Sequence, residues 1–177
     1  SKQSEKSNEF ENIIKKVQEN KINIILVEAG DIINIDNETY FEIMWPQNNN
    51  MIAENPLNNN SIVAKMHYKN FSILFTGDIE EKAEQKIIEN YGKNLKSTVL
   101  KVPHHGSSTS STKEFIHMVS PQISLIGVGK NNKFGHPSIK TIETLKLYEN
   151  TIYRTDIHGE ITLTIDKKGR VKIETHV

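Results

Sequence analysis

Leu74-Phe75-Thr76-Gly77-Asp78-Ile79-Glu80, followed by Leu100-Lys101-Val102-Pro103-His104-His105-Gly106-Ser107, decides how this sequence is read. In each stretch an apolar run of strand length stops at a turn former, and a chemically capable side chain follows at once. Asp78 comes after Gly77 in the first, and His104 and His105 come after Pro103 in the second. Gly77 lets the backbone turn tightly so that Asp78 points inward, and Gly106 allows close backbone approach behind the two histidines. A third junction has the same form: the apolar run 123–128 leads into a Gly- and Asn-rich loop carrying Gly135-His136-Pro137. Open α/β sheets build their sites from loops at the carboxyl ends of strands. Asp78, His104, His105 and His136 are therefore expected to meet, although helix-sized segments separate them along the chain.

Outward from these junctions the pattern is one of strands alternating with helices. Phe10, Ile13, Ile14 and Val17 recur at helical spacing and predict an amphipathic helix over 9–20. Strands are expected at 22–27 and 39–45, joined by a turn at Ala29-Gly30-Asp31, before an Asn-rich loop around Pro56. Residues 61–67 and 71–75 read as a hairpin turning at Lys69-Asn70. A helix over 80–91 ends at Gly92, and a strand over 98–102 ends at Pro103. Thr112 caps a short helix to Val119, and Ser138 caps another to about Glu149. Strands at 152–154, 160–165 and 171–175 close the chain, the last two joined at Lys168-Gly169. The alternation predicts one α/β layered domain over 9–177, preceded by a polar tail over 1–8.

The chain has 177 residues, 36% hydrophobic and 25% charged, so disordered, collagen-like and membrane-spanning classes are set aside. Its longest apolar runs are strand-sized, well short of a membrane span. Twenty-two basic and 22 acidic residues cancel, so no overall field holds a polyanion and any nucleic-acid contact must be local. Lys93, Lys96, Lys101, Lys130 and Lys133 could form a local basic rim; ordinary solvated lysines are the plainer reading. With no cysteine, disulfides and thiolate ligands are excluded, and any metal must be held by imidazole and carboxylate. A divalent ion such as Zn²⁺ or Mn²⁺ suits that set. No secretory leader is read, and Ser1 in place of Met points to a processed or excised start.

Other candidates receive plainer readings. The run 107–112 offers hydroxyls and amides for a phosphate cradle, with Ser107 and Lys130 as candidate substrate contacts. Asn60 is a third, against the alternative that it caps the hairpin. His67 and His117 are read as structural or surface residues, His158 as a turn residue, His176 as part of the terminus, and Trp45 as a core anchor.

Taken in order, Asn60-Ser61-Ile62-Val63, the Thr76-Gly77-Asp78 and His104-His105-Gly106-Ser107 stretches, Val128-Gly129-Lys130-Asn131-Asn132 with Gly135-His136-Pro137, and Tyr153-Arg154-Thr155-Asp156 with Gly159 resemble a known domain. It is the carboxyl-terminal metallo-β-lactamase-like domain of the ComEC family of DNA-uptake proteins, over about residues 9–175. The resemblance implies an αββα sandwich, of which this chain corresponds to the carboxyl-terminal half, a mixed sheet with flanking helices. It implies that Asp78 bridges two metal ions and that His136 is a further ligand. His104 and His105 then lie beside the metals, one as ligand and the other as proton donor, with the division between them open. Superfamily members carry a His-x-His-x-Asp-His motif, or His-x-Asp-x-Asp-His in ComEC-like domains, in the first half of the fold. This sequence has neither, because His67 is the only histidine before Asp78 and lacks such neighbours.

The implied activity is metal-dependent hydrolysis of a phosphodiester, DNA in the intact parent, by a soluble appendage on the extracytoplasmic face of a bacterial membrane channel. A stand-alone cytoplasmic protein is the alternative location. Implied partners are the missing amino-terminal half of the domain, the channel portion, or a second copy covering exposed apolar surface. An inactive or structural module, or another superfamily hydrolase of the phosphorylcholine esterase kind, are the alternative functions. By itself the chain is expected to bind metal weakly and hydrolyse little.

Overall fold

Side chains that alternate with period two give each central strand two apolar faces, and the sheet follows from covering both. The computed structural model describes residues 8–177. In chain order the elements are α1 (Asn8–Glu19), β1 (Ile32–Asn34), β2 (Thr39–Trp45), α2 (Pro56–Asn59), β3 (Val63–Tyr68) and β4 (Phe71–Phe75). They continue as α3 (Glu81–Tyr91), β5 (Val99–Lys101), α4 (Lys113–Val119), β6 (Ile123–Ile126), α5 (Ile139–Leu147), β7 (Thr151–Arg154), α6 (Thr155–His158), β8 (Glu160–Ile165) and β9 (Val171–His176). The tail expected over 1–8 lies outside the described residues except for Asn8, which opens α1.

Strands β1 to β7 form one sheet in sequence order. The first four pair antiparallel, and β4 to β7 pair parallel through the crossover helices α3, α4 and α5. This mixed sheet is the expected α/β architecture. One face packs on the helices: Leu74, Leu100 and Ile126 join Ala83 and Ile87 of α3, Phe115 and Ile116 of α4 and Leu145 of α5 in the main core. The alternate residues Ile73 and Val99, with Phe71, face the other way and meet Leu163, Ile165 and Val171 of the β8–β9 hairpin. Trp45 is fully buried, and its indole N–H donates to the Asn59 carbonyl (2.7 Å), as a core anchor should.

Caps behave as read: Thr112 and Ser138 accept from the backbone N–H groups of Phe115 and Thr141. His176 departs from its reading, since it pairs with Glu160 as the last residue of β9. His67 stacks on Tyr40 with ring centroids 4.6 Å apart and His117 packs against Tyr148, both structural. His158 closes the one-turn α6 by bonding the Arg154 backbone through Nδ1.

The strand expected over 22–27 does not form. Ile22, Ile24, Ile25 and Leu26 are exposed, Ile25 to 82%. Among the described residues, backbone hydrogen bonds to the sheet begin at Ala29, with Ala29 N to Pro46 O and Gly30 N to Ile43 O, both 2.8 Å. Without a strand alongside to accept its amides, an apolar run gains nothing from extension.

Candidate active site

The carboxyl ends of β4, β5, β6 and β7 lie side by side, and each bears one part of the site. At the end of β4, the hydroxyl of Thr76 donates to the Lys101 carbonyl (2.6 Å) and ties this strand to the next. Gly77 follows at φ +53°, where a Cβ would lie 2.7 Å from the Ser61 Cβ. Only glycine fits both the conformation and the space, and the turn delivers a carboxylate, Asp78, that is 44% exposed.

Beyond β5 the backbone enters the left-handed region for three successive residues, His104 (φ 48°), His105 (φ 54°) and Gly106 (φ 81°). For the two histidines this costs roughly 1–2 kcal/mol each. Strain of this kind persists where surrounding contacts over-determine it, and it concentrates at functional sites. The contacts are visible here. His104 N donates to Gly77 O (3.1 Å), Ser107 N donates to His104 O (2.9 Å), and Ser138 N donates to Gly106 O (2.8 Å). A Cβ on Gly106 would stand 2.6 Å from the Pro137 Cβ, so its absence lets the His136 loop close onto the histidine pair.

His136 is held by Asn132, whose side-chain oxygen accepts from His136 N (2.9 Å) and whose side-chain amide donates to His136 O (2.7 Å). The ring centroids of His104 and His136 are 5.7 Å apart, and those of His104 and His105 are 6.4 Å apart. Burial first, then the neighbouring His104 and His105, hold the pKa of His136 below the ordinary imidazole value, with Asp78 pulling the other way. The neutral ring is the form that binds metal.

His105 Nδ1 lies 2.7 Å from the Gly127 carbonyl at the end of β6. A carbonyl only accepts, so Nδ1 carries a proton, and in the neutral ring Nε2 keeps its lone pair. That lone pair faces Asp78 Oδ1 at 3.8 Å. Two acceptors facing each other call for a proton or a cation between them, and an imidazole whose other N–H is held by a backbone carbonyl is the usual form of a metal-bound histidine. The β7 end steadies this wall: the Thr155 hydroxyl donates to Val128 O (2.8 Å) and accepts from Val128 N (2.7 Å).

The structure thus brings Asp78, His104, His105 and His136 together at one rim. Ser107 is buried, with its hydroxyl against that of Thr109 (3.0 Å); Lys130 is exposed on the loop before His136, and Phe134 of the same loop is 82% exposed with its ring stacked on that of His136 (centroids 5.9 Å apart). Asn60 is 1% exposed, and its side chain bonds Ile52 N, Ile52 O and Pro56 O. It clamps a loop, and no polar atom is left for a substrate. Lys101 is also withdrawn from any basic rim: its ammonium donates to Val102 O, and burial holds its pKa down. Sequence reasoning overlooked Glu80, the Gly127 carbonyl and Asn132 as partners of the histidines. The first carried a signal, an acid two positions after Asp78; a backbone carbonyl carries none.

The donor types fit a divalent ion, and His105 Nε2 with Asp78 Oδ1 forms an opposed pair. Among the described residues, however, no group of three or more His, Cys, Asp or Glu side chains stands in an arrangement that could hold an ion. Of two cavities of about 600 Å³ lined by other residues, one lies in the groove of α4 and α5, and the other, beside Asn55, is bounded by Glu80, whose carboxylate lies 3.5 Å from His104 Nδ1.

No family model matches the chain. It is 35% identical over 153 residues, 85% of its length, to ComE operon protein 3 of Bacillus subtilis, and 31% identical over 129 residues, 73% of its length, to competence protein ComA of Neisseria gonorrhoeae. It spans only 19% and 18% of these relatives, about a fifth of their length. The resemblance to the ComEC family therefore holds along most of this chain. Among solved structures, a candidate metal-dependent hydrolase of Parabacteroides distasonis superposes with a TM-score of 0.52 at 15% identity, over 80% of this chain and 62% of that one. The likeness to that structure is one of fold, a mixed sheet with flanking helices. No helix among the described residues is long and apolar enough to cross a membrane.

Proposed function

We propose that this chain supplies part of a metal-dependent phosphodiesterase site of the ComEC kind, with DNA as the substrate of the parent protein. The observation that carries the reading is the convergence of Asp78, His104, His105 and His136 from three adjacent strand ends, with the His105 lone pair turned toward Asp78. Asp78 and His136 serve as ligands of a divalent ion, Zn²⁺ or Mn²⁺. A bound ion supplies an activated water and neutralises charge on a phosphoryl oxygen. His105 is the better placed of the pair to share an ion with Asp78, which leaves His104 to take up a proton and then pass it to the leaving group. Ser107 and Lys130 are the remaining candidates for substrate contact. Exposed Phe134, on the same loop as Lys130 and stacked on His136, suits a strand whose bases stack and whose phosphates need a cation.

A second reading is favoured for the isolated chain. With four donors and no three of them arranged around one point, it binds metal weakly and turns over little. Residues 9–177 then act as the carboxyl-terminal portion of a two-ion domain, completed by a His-x-Asp-x-Asp-His segment on the extracytoplasmic side of a membrane channel. Exposed Ile22, Ile24, Ile25 and Leu26 offer apolar surface for such a segment or for a second copy. Asp78→Asn in the full-length protein tests the first reading. It is expected to abolish metal-dependent cleavage of DNA with little change in stability, because an exposed loop-end carboxylate adds little to folding. Retained turnover at full metal occupancy removes Asp78 from the mechanism, and cleavage of phosphorylcholine esters but not DNA reassigns the substrate.

A further inference from the structure

We propose that Glu80 is a positioning residue that fixes His104 in the tautomer protonated on Nδ1, leaving Nε2 as an accepting lone pair for the site. The inference rests on the reading above only for the use made of that lone pair. His104 Nδ1 is buried without a hydrogen-bond partner. Glu80 Oε1 lies 3.5 Å away, within ion-pair reach but not in hydrogen-bond geometry. An unpaired buried polar atom is costly, so a small closing movement that completes this contact is favoured.

Glu80 occupies the amino-terminal cap of α3, yet its side chain makes no capping hydrogen bond. The carboxylate is turned away from its own helix and is only 10% exposed. Its Oε2 accepts from the side-chain amides of Asn55 (2.9 Å) and Asn59 (3.3 Å), and its Oε1 accepts from the Thr109 hydroxyl (3.2 Å). Its backbone N–H donates to the Asn59 side-chain oxygen (3.1 Å). Asn55 holds a left-handed backbone, φ 41°, to present that amide, a conformation asparagine tolerates better than most residues. Three donors aim the carboxylate, and the remaining direction of Oε1 faces His104. Because an ionised carboxylate only accepts, the nitrogen facing it carries the proton.

Glu80→Gln separates positioning from mere packing. Asn55 and Asn59 both donate to the Oε2 position, so the glutamine oxygen must occupy it. The NH₂ group then stands where Oε1 stood, facing the Thr109 hydroxyl, which can accept, and His104 Nδ1, which must now accept as well. Volume and the loop hydrogen bonds are kept, while the His104 proton moves to Nε2.

The test is ¹⁵N nuclear magnetic resonance on the ¹⁵N-histidine-labelled, metal-free 177-residue chain above the imidazole titration range, with His104 assigned by His104→Gln. Expected for the wild type is a protonated, pyrrole-type Nδ1 and an unprotonated, pyridine-type Nε2. In Glu80→Gln the two types should interchange with the thermal midpoint nearly unchanged. Glu80→Asp, whose shorter carboxylate withdraws from the ring, should populate both tautomers. A wild-type proton on Nε2 overturns the proposal, as does a folded Glu80→Gln or Glu80→Asp chain that leaves the tautomer unaltered. No metal or substrate is present, so the outcome is independent of whether the protein cleaves a phosphodiester.

Discussion

Two apolar runs of similar length, 22–27 and 123–126, end in opposite states. The second lies as β6 between β5 and β7, with Ile126 fully buried against the helices and Ile123 and Leu125 packed toward the β8–β9 hairpin. The first is at least as rich in isoleucine and leucine, yet it remains irregular and exposed. The difference lies in their neighbours. A strand is made by the strands beside it, which accept its amides and cover its faces, and β-propensity only selects which segments can respond. The same neighbours make the rim chemically useful, because only strands locked side by side deliver Asp78, His105 and His136 to one place.

Core truncation should expose this contrast most sharply. Leu100→Ala, on the helix-facing side of β5, is expected to cost about 2–5 kcal/mol in denaturant unfolding, since a fully buried leucine leaves a cavity. A loss under about 1 kcal/mol would mean that the parallel strands are no better packed than the 22–27 segment.

Next in size is a pH effect on the same packed side. Glu84 of α3 is fully buried and accepts from Ser111 N (2.5 Å) and Thr112 N (2.9 Å), holding the loop after the histidines to the helix. Burial pushes its carboxyl from 4.5 up to about 7, against the downward pull of those two donors. Below about 4.5 both states carry the proton and nothing depends on pH; between 4.5 and about 7 the unfolded chain releases it while the folded chain keeps it. Stability should therefore fall as pH rises through that window, by up to about 3 kcal/mol. Glu84→Gln should remove this part of the slope, measured by unfolding at a series of pH values. An identical slope in the variant would contradict it.

Gly106→Ala should cost roughly 1–2 kcal/mol from its left-handed backbone, and more from the Pro137 contact. It should also broaden the resonances of His104 and His136 together, because the loop carrying His136 can no longer close. Sharp, unshifted lines would break the link between the two loops. The smallest effect belongs to the other region: Ile25→Ala should change stability by less than about 0.5 kcal/mol, since the side chain is 82% exposed.

What the sequence made legible follows the same division. Caps at Thr112 and Ser138, the hairpin at Lys69-Asn70 and the donors at strand ends are local patterns, each readable from a few adjacent residues. Partners brought in from a distance were not legible. Nothing adjacent in sequence tells that Gly127 will orient His105, that Asn60 will be consumed by Ile52 and Pro56, or that Glu80 will turn from its helix toward His104. The strand expected at 22–27 erred for the same reason, because its outcome depended on a neighbour.

The most direct test of the shared rim is a calorimetric titration of Zn²⁺ into this chain and into its Asp78→Asn variant. Asp78 and His105 face each other but no three donors surround one point, so the wild type should bind weakly, at no more than one ion per chain, and Asp78→Asn should lose that binding. Micromolar or tighter binding of two ions per chain, or binding unaffected by Asp78→Asn, would contradict the account.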